Sequence, residues 1–305
     1  MAGDRQTNAT AAAAATLLMP WCLGVPINRF TAKSPEMLFS DFLLPHVPES
    51  KAPFLLVDVG ANRGQFALSV VAAGHRSIAF EPSPAACATL KAAVNAAQNR
   101  SALSAGGRQR RRRPMGRKAP RSGQGRVDVH CAAVGARPGS VKFSTTERTT
   151  TSAHVSATGE AVPVVRLDDV VGGDERGFYL KTDTQGFEGE VLQGADRLLR
   201  TAAPRVMLIE LSPGTLEQHG SSVRKLIAQV TSYGYDCTFG MFFSAAKKKT
   251  RGGRETITST LVPVPRQLEG KAEVSVEDME AMLKYMPRTK MGGWTDLLCW
   301  APMLQ

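Results

Sequence analysis

The 305-residue chain lacks the spacings by which covalent or metal chemistry anchors a fold. Its five cysteines, Cys22, Cys87, Cys131, Cys237 and Cys299, are scattered, with no C-x-x-C and no histidine at ligand spacing. That pattern speaks against a structural zinc site and against a disulfide framework, and the expected compartment is the reducing cytoplasm. No apolar run reaches the roughly 18–20 residues that a membrane-spanning helix needs. Ala11–Val25 is apolar over 15 residues, the length of a signal-peptide core. Its flank holds Arg5 opposed by Asp4, and Pro20 interrupts it. Two readings stand: a targeting peptide, or an Ala-rich tail leading into a first helix, which is the expectation. Acids are absent from Ser104–Arg126, which holds eight Arg and one Lys, so of the net charge of +11 the rest of the chain carries +2. The basic character describes one segment, not the fold. Aromatics do not interleave with these arginines, so a base-stacking platform is not favoured.

What is present is organised around Phe54–Phe66. Five apolar residues surround one carboxylate, Asp58, the composition of a strand buried on both faces. Gly60 and Gly64 follow, four apart, and then the helical Gln65–Ala73. Strand, glycine turn and helix start together put a small-molecule site at the carboxyl end of a parallel strand. A dinucleotide fingerprint needs a middle glycine for the pyrophosphate, and that position holds Asn62. The spacing Asp58-x-Gly60-x-x-x-Gly64 instead resembles the first motif of S-adenosylmethionine-dependent methyltransferases, whose ligand is a phosphate-free sulfonium cation. A carboxylate beside the turn suits that charge.

Along the chain, Ser77–Phe80 reads as a second strand ended by Glu81, 21 residues beyond Gly60, where nucleotide folds place a ribose-binding acid. Ser83 and Pro84 are expected as N-cap and first residue of a helix. Residues 101–125, rich in Gly, Arg, Ser and Pro, are expected as a disordered insert. Arg126–Gly135 is the third strand, with short β segments at Val141–Ser144 and Val162–Leu167. His154 between them is a loop histidine that could act as a base, or an ordinary exposed one. Phe178–Thr182 is the fourth strand, with Asp183, Gly186 and Glu188 in the turn at its end. Arg205–Leu211 is the fifth, and a helix starts near Ser222 and stops at Gly234. Tyr235–Phe243 is the sixth strand, Lys247–Arg254 a second basic loop, Ser275–Asp278 a capping-box helix start, and Thr295–Ala301 the seventh strand. The fold class is α/β, with a seven-stranded, mostly parallel sheet and helices on both faces. Residues 1–50 form an extension and 51–305 one domain, carrying the insert at about 101–125 and an excursion at about 244–294.

Taken in order, Val57–Phe66, Phe80–Pro84, Leu167–Asp169, Leu180–Glu188, Val191–Ala195, Ile209–Glu210 and Asp296–Leu298 resemble the FkbM-type family of methyltransferases. The resemblance implies a Rossmann-like class I methyltransferase sheet, S-adenosylmethionine as donor, and O-methylation of a hydroxyl on a sugar or other small-molecule or glycan acceptor. By position, Asp58, Gly60, Asn62 and Gly64 would cradle the methionine part of the donor, Glu81 would hold the ribose, and Ala132 or Ala133 would lie near the adenine. Asp183 and Glu188 would face the departing methyl group, Asp183 as base or orienting group or else as a helix cap. Two alternatives remain. One is an RNA methyltransferase using Arg108–Arg121 as an arm, not the favoured partner. The other is a binding module without catalysis, against which the intact Gly60, Gly64 and Glu81 speak.

Overall fold

Strand β1, Leu55–Val59, is buried at every residue, and its alternate side chains enter different cores. Leu55, Val57 and Val59 join the largest apolar cluster, while Leu56 packs with Phe54, Phe66 and Val70 on the opposite face. A strand covered on both sides cannot tolerate polar residues without partners, which is why it reads as nearly continuous apolar sequence. The protein is described from a computed structural model covering residues 54–106, 125–144, 154–155, 159–173, 175, 178–201, 203–249, 255–262 and 293–301. The expectations for the N-terminal extension, for Arg110–Arg113 and for the helix starting at Ser275 lie outside the described residues.

Helix α1 (Gln65–Ala72) returns to β2 (Arg76–Phe80), and α2 (Pro84–Gly106) to β3 (Arg126–His130). A second, four-stranded sheet holds β4 (Ala133–Val134), β5 (Gly139–Ser144), β6 (His154–Val155) and β7 (Glu160–Val165), in the order β4-β7-β5-β6. Then come α3 (Leu167–Val170), β8 (Phe178–Thr182), α4 (Glu188–Gly194), α5 (Asp196–Arg200) and β9 (Pro204–Leu211). The chain continues through α6 (Pro213–Gln218), α7 (Val223–Ser232), β10 (Asp236–Lys249), β11 (Glu255–Val262) and β12 (Gly293–Trp300).

The main sheet runs β11-β10-β12-β9-β8-β1-β2-β3. From β3 to β9 every pairing is parallel, and β12 inserts antiparallel between β9 and β10. β3-β2-β1-β8-β9-β12-β10 is the seven-stranded methyltransferase sheet that the resemblance implies, with α1 on one face and α4, α5 and α7 on the other. In-register pairing of Val59 with Phe80 and with Thr182 makes three strands end level. The residues that follow, Gly60, Glu81 and Asp183, therefore share one edge, at the reversal of strand order where open α/β sheets bind ligands. Ser83 caps α2 as expected, with its Oγ accepting from the Ala86 N–H at 3.4 Å, and the Ser222 side chain accepts from the Lys225 N–H at the start of α7.

The expected seven-stranded sheet is extended at its edge, because β10 runs on to Lys249 and pairs antiparallel with β11 where a long excursion was expected. Three expectations are corrected besides the basic loop, of which Lys247–Lys249 lie in β10. Helix α2 continues to Gly106, six residues into the supposed insert, since its alanines carry helix propensity past the end of its apolar stripe. The third strand is split, with Arg126–His130 in the main sheet and Ala133–Val134 in the small one. Finally, the cysteines are bridged: Cys87 to Cys131 across 44 residues, joining α2 to the end of β3, and Cys237 to Cys299 across 62, between paired strands β10 and β12. Pairings set by sheet neighbours leave no trace in local spacing. Each bridge restricts the unfolded chain and contributes about 2–4 kcal/mol. Thiol titration of the denatured, unreduced protein should find one free thiol, and reduction should expose all five and lower the melting temperature. Five thiols before reduction would contradict both bridges.

Candidate active site

The turn after β1 is shaped by a contact that excludes any side chain. Gly60 has φ of +75°, and a Cβ there would overlap the Asp183 carbonyl, so only glycine lets β1 and β8 close at their ends. The Gly60 and Ala61 N–H groups both donate to the Phe80 carbonyl at 3.0 Å, and the Asp183 N–H donates to the Val59 carbonyl at 3.1 Å. Gly64, φ +85°, caps α1 where a Cβ would meet Leu90.

Beneath this turn lies a buried charge that the sequence reading did not single out. The Lys181 Nζ donates to the Gly60 carbonyl at 2.8 Å and stands 3.3 Å from Asp58 Oδ1 and 3.7 Å from Asp183 Oδ2. Burial alone would lower its pKa, but Asp58 and Asp183 outweigh that and raise it, so the ammonium stays charged. Asp58 is 0% exposed, and burial raises its pKa against the pull of Lys181. A signal existed for Lys181: a cation inside an apolar strand covered on both faces needs a buried counter-ion.

Glu81 accepts the Asn62 N–H at 2.7 Å on one oxygen and the Ser83 N–H at 2.8 Å on the other, tying the β1 turn to the start of α2. Burial raises its pKa, opposed by those two donors. Asn62 takes φ of +50°, and its Oδ1 is buried without a hydrogen-bond partner among the described residues.

Asp183 is 39% exposed. Burial pushes its carboxyl up, but Lys181, the neighbouring Glu210 carboxyl and the Gln185 hydrogen bond prevail and hold it below the usual carboxylate range. The Gln185 Nε2 donates to Asp183 Oδ1 at 3.0 Å and to Glu210 Oε2 at 2.7 Å. Glu188 is 1% exposed and faces its own turn, where it accepts the Thr184 N–H at 2.9 Å, the Thr184 hydroxyl at 3.1 Å and the Gly186 N–H at 3.0 Å. The carboxylate expected to face the departing methyl group thus staples the turn that carries Asp183.

A cleft of about 880 Å³ opens along this edge, within the range of small-molecule sites. Gly60, Asn62, Glu81, Ala132 and Asp183 line it; Asp58, Gly64 and Glu188 support it from behind. Its lining also includes Arg137, Phe187, His219 and Lys225, none of which sequence reasoning singled out as functional. They come from a loop, two helix caps and the first turn of α7, without a recognisable spacing.

The sequence profile of the methyltransferase FkbM domain matches residues 58–237, more than half of the chain and every lining residue of the cleft. The chain belongs to this family. No curated protein matches it. Among solved structures, the precorrin-6y C5,15-methyltransferase of Geobacter metallireducens is 11% identical with a TM-score of 0.39, covering 92% of this chain and 98% of that one. The METTL16 methyltransferase domain is 12% identical with a TM-score of 0.40, covering 98% and 81%. An S-adenosylmethionine-dependent O-methyltransferase of Thermotoga maritima is 8% identical with a TM-score of 0.36, covering 92% and 70%. At scores of this size the strand order, and no single neighbour, carries the fold.

Within this FkbM domain, Lys181 fixes the ends of both central strands. Lys181→Met should cost about 3–5 kcal/mol in urea unfolding, because it leaves Asp58 buried and uncompensated. Adding Asp58→Asn should recover part of the loss. A cost under about 1 kcal/mol would assign the ammonium no more than an exposed pair contributes.

Proposed function

We propose that this protein transfers a methyl group from S-adenosylmethionine to a hydroxyl of a sugar or other small-molecule or glycan acceptor. The observation that carries the reading is one cleft that brings Gly60, Asn62, Glu81 and Ala132 to the same edge as Asp183. The residues present fit the donor. Asn62 Oδ1 is a buried acceptor at the cleft with no partner among the described residues, suited to an N–H or O–H of a ligand. Glu81 has about four lone-pair sites and uses two on backbone N–H groups, leaving capacity for two ribose hydroxyls. Ala132 and Ala133 offer a flat, small wall for the adenine.

When bound, the donor supplies an electrophilic methyl group on a cationic sulfur. Asp183, ionised at the cleft, complements that cation and accepts a hydrogen bond from the acceptor hydroxyl, holding its oxygen for in-line attack. Glu188 and Lys181 keep the Asp183 turn in place. The part of the lining formed by Arg137, Phe187, His219 and Lys225 is the region left for the acceptor.

Calorimetry with S-adenosylmethionine tests the donor half. Each charged hydrogen bond to a ribose hydroxyl is worth roughly 1.5–3 kcal/mol, so Glu81→Ala should weaken binding at least tenfold. Unchanged affinity would remove Glu81 from the donor site. For the chemical half, methyl-labelled donor should mark a fraction of small-molecule or glycan extract in preference to RNA. With that acceptor, Asp183→Asn should lower kcat by about 10²–10⁴ with donor affinity changed only a few-fold. Normal turnover by this variant would exclude Asp183 from the step.

A further inference from the structure

Glu210 was absent from the roles read off the sequence and does not line the cleft, yet it is bound to the residue that does. It sits near the carboxyl end of β9, beside β8, and Gln185 bridges its Oε2 to Asp183 Oδ1. Gln185 adopts φ of +56°, an uncommon conformation for a residue other than glycine, asparagine or aspartate, to make that bridge. The shared amide bridge holds the two carboxyls close enough that each affects the other's ionisation. Two carboxyls bridged this closely in a buried setting repel one another when both are ionised, which favours one proton on the pair.

The surroundings say which member keeps it. Lys181 stands beside Asp183 and favours its ionised form. Glu210 faces Asp183 from β8, Glu188 from α4 and Asp296, its register partner, from β12, with Lys181 the cation facing it from β8. Burial and these carboxylates push the Glu210 carboxyl well above the usual range. Neighbouring acids driven apart in this way divide the roles of acid and base.

We infer that Glu210 is a positioning residue that makes Asp183 one half of a two-carboxyl proton acceptor, taking the proton that the acceptor hydroxyl gives up. This rests on the proposed methyl transfer. In the reactive form both carboxyls are ionised. The hydroxyl O–H bond breaks and its proton enters the pair through Asp183. The oxygen's electron pair forms the new O–C bond, and the sulfur leaves the methyl carbon with the electrons of the broken C–S bond. The pair is left with one proton, as in its resting form. The donor's own positive charge prepares the reactive form, because a cation beside Asp183 favours loss of the shared proton.

That last consequence can be read without an acceptor. Calorimetric titration of the full chain with S-adenosylmethionine, near neutral pH in two buffers of different ionisation enthalpy, should show release of up to about one proton per donor bound. S-adenosylhomocysteine, which lacks the sulfonium, should release less. In Glu210→Gln the side-chain amide still donates to Asp183 but carries no titratable proton, so the donor should bind with little proton release. Gln185→Asn tolerates the positive φ but is too short to bridge both carboxyls. It should keep donor binding and move the release to higher pH, which keeps the test open if Glu210→Gln fails to fold. With an acceptor in hand, the rise of kcat with pH should flatten in Glu210→Gln. Equal proton release by wild type and Glu210→Gln, or by wild type and Gln185→Asn across pH, would overturn the pair while leaving methyl transfer intact. A wild-type protein that binds no donor would overturn the proposed function and the pair with it.

Discussion

The structure depends most on one buried ammonium. Lys181 is carried into the interior by β8, and its Nζ reaches the Gly60 carbonyl, Asp58 and Asp183 together. It neutralises a carboxylate with no access to water and fixes the ends of the two central strands against one another. The near contact of Gly60 with the Asp183 carbonyl follows from this, since the two backbones close over the same ammonium. Every residue at the cleft edge is then positioned relative to this closure. Asn62 and Glu81 are tied to the β1 turn, and Gln185, Glu188 and Glu210 to the turn after β8.

The site divides into carboxylates that hold shape and carboxylates exposed to chemistry. Asp58 and Glu188 are buried, with one facing an ammonium and the other three hydrogen-bond donors of a single turn. Glu81 does both, since it braces two backbone N–H groups while lining the cleft. Asp183 is the acid with substantial exposure, and its low proton affinity suits it to orient a hydroxyl and complement a cation. As a strong base it needs help. Glu210 provides a partner of opposite tendency, and this division gives the turn a reason to hold two carboxyls bridged by an amide.

Much of this was legible in the sequence. The run Leu55–Val59 announced a parallel strand because burial on both faces admits apolar residues and, as at Asp58, only a polar one with a buried partner, and the Gly60–Gly64 turn with Glu81 placed the cleft. Seven strands could likewise be read along the chain, whereas their order in the sheet came only with the resemblance. Less visible were features that depend on contacts between distant segments. Cys237 and Cys299 are neighbours only because β12 returns between β9 and β10. Lys181 and Glu210 looked like ordinary polar positions in short strands until their neighbours were known. Glu188 followed Asp183 too closely for sequence to say which would turn inward. The other lining residues of the cleft, Arg137, Phe187, His219 and Lys225, come from a loop, two helix caps and the first turn of α7, with no shared spacing.

The central claim is that the edge formed by the β1 turn, Glu81, Ala132 and Asp183 holds S-adenosylmethionine. Hydrogen exchange with and without the donor tests it most directly, since ordering at a site slows the opening of its backbone. The account predicts added protection in peptides covering Val59–Phe66, Phe80–Pro84, Cys131–Arg137 and Asp183–Gly189, and none in the β10–β11 hairpin. Unchanged exchange in those four segments at saturating donor, or protection confined to another face of the sheet, would contradict it.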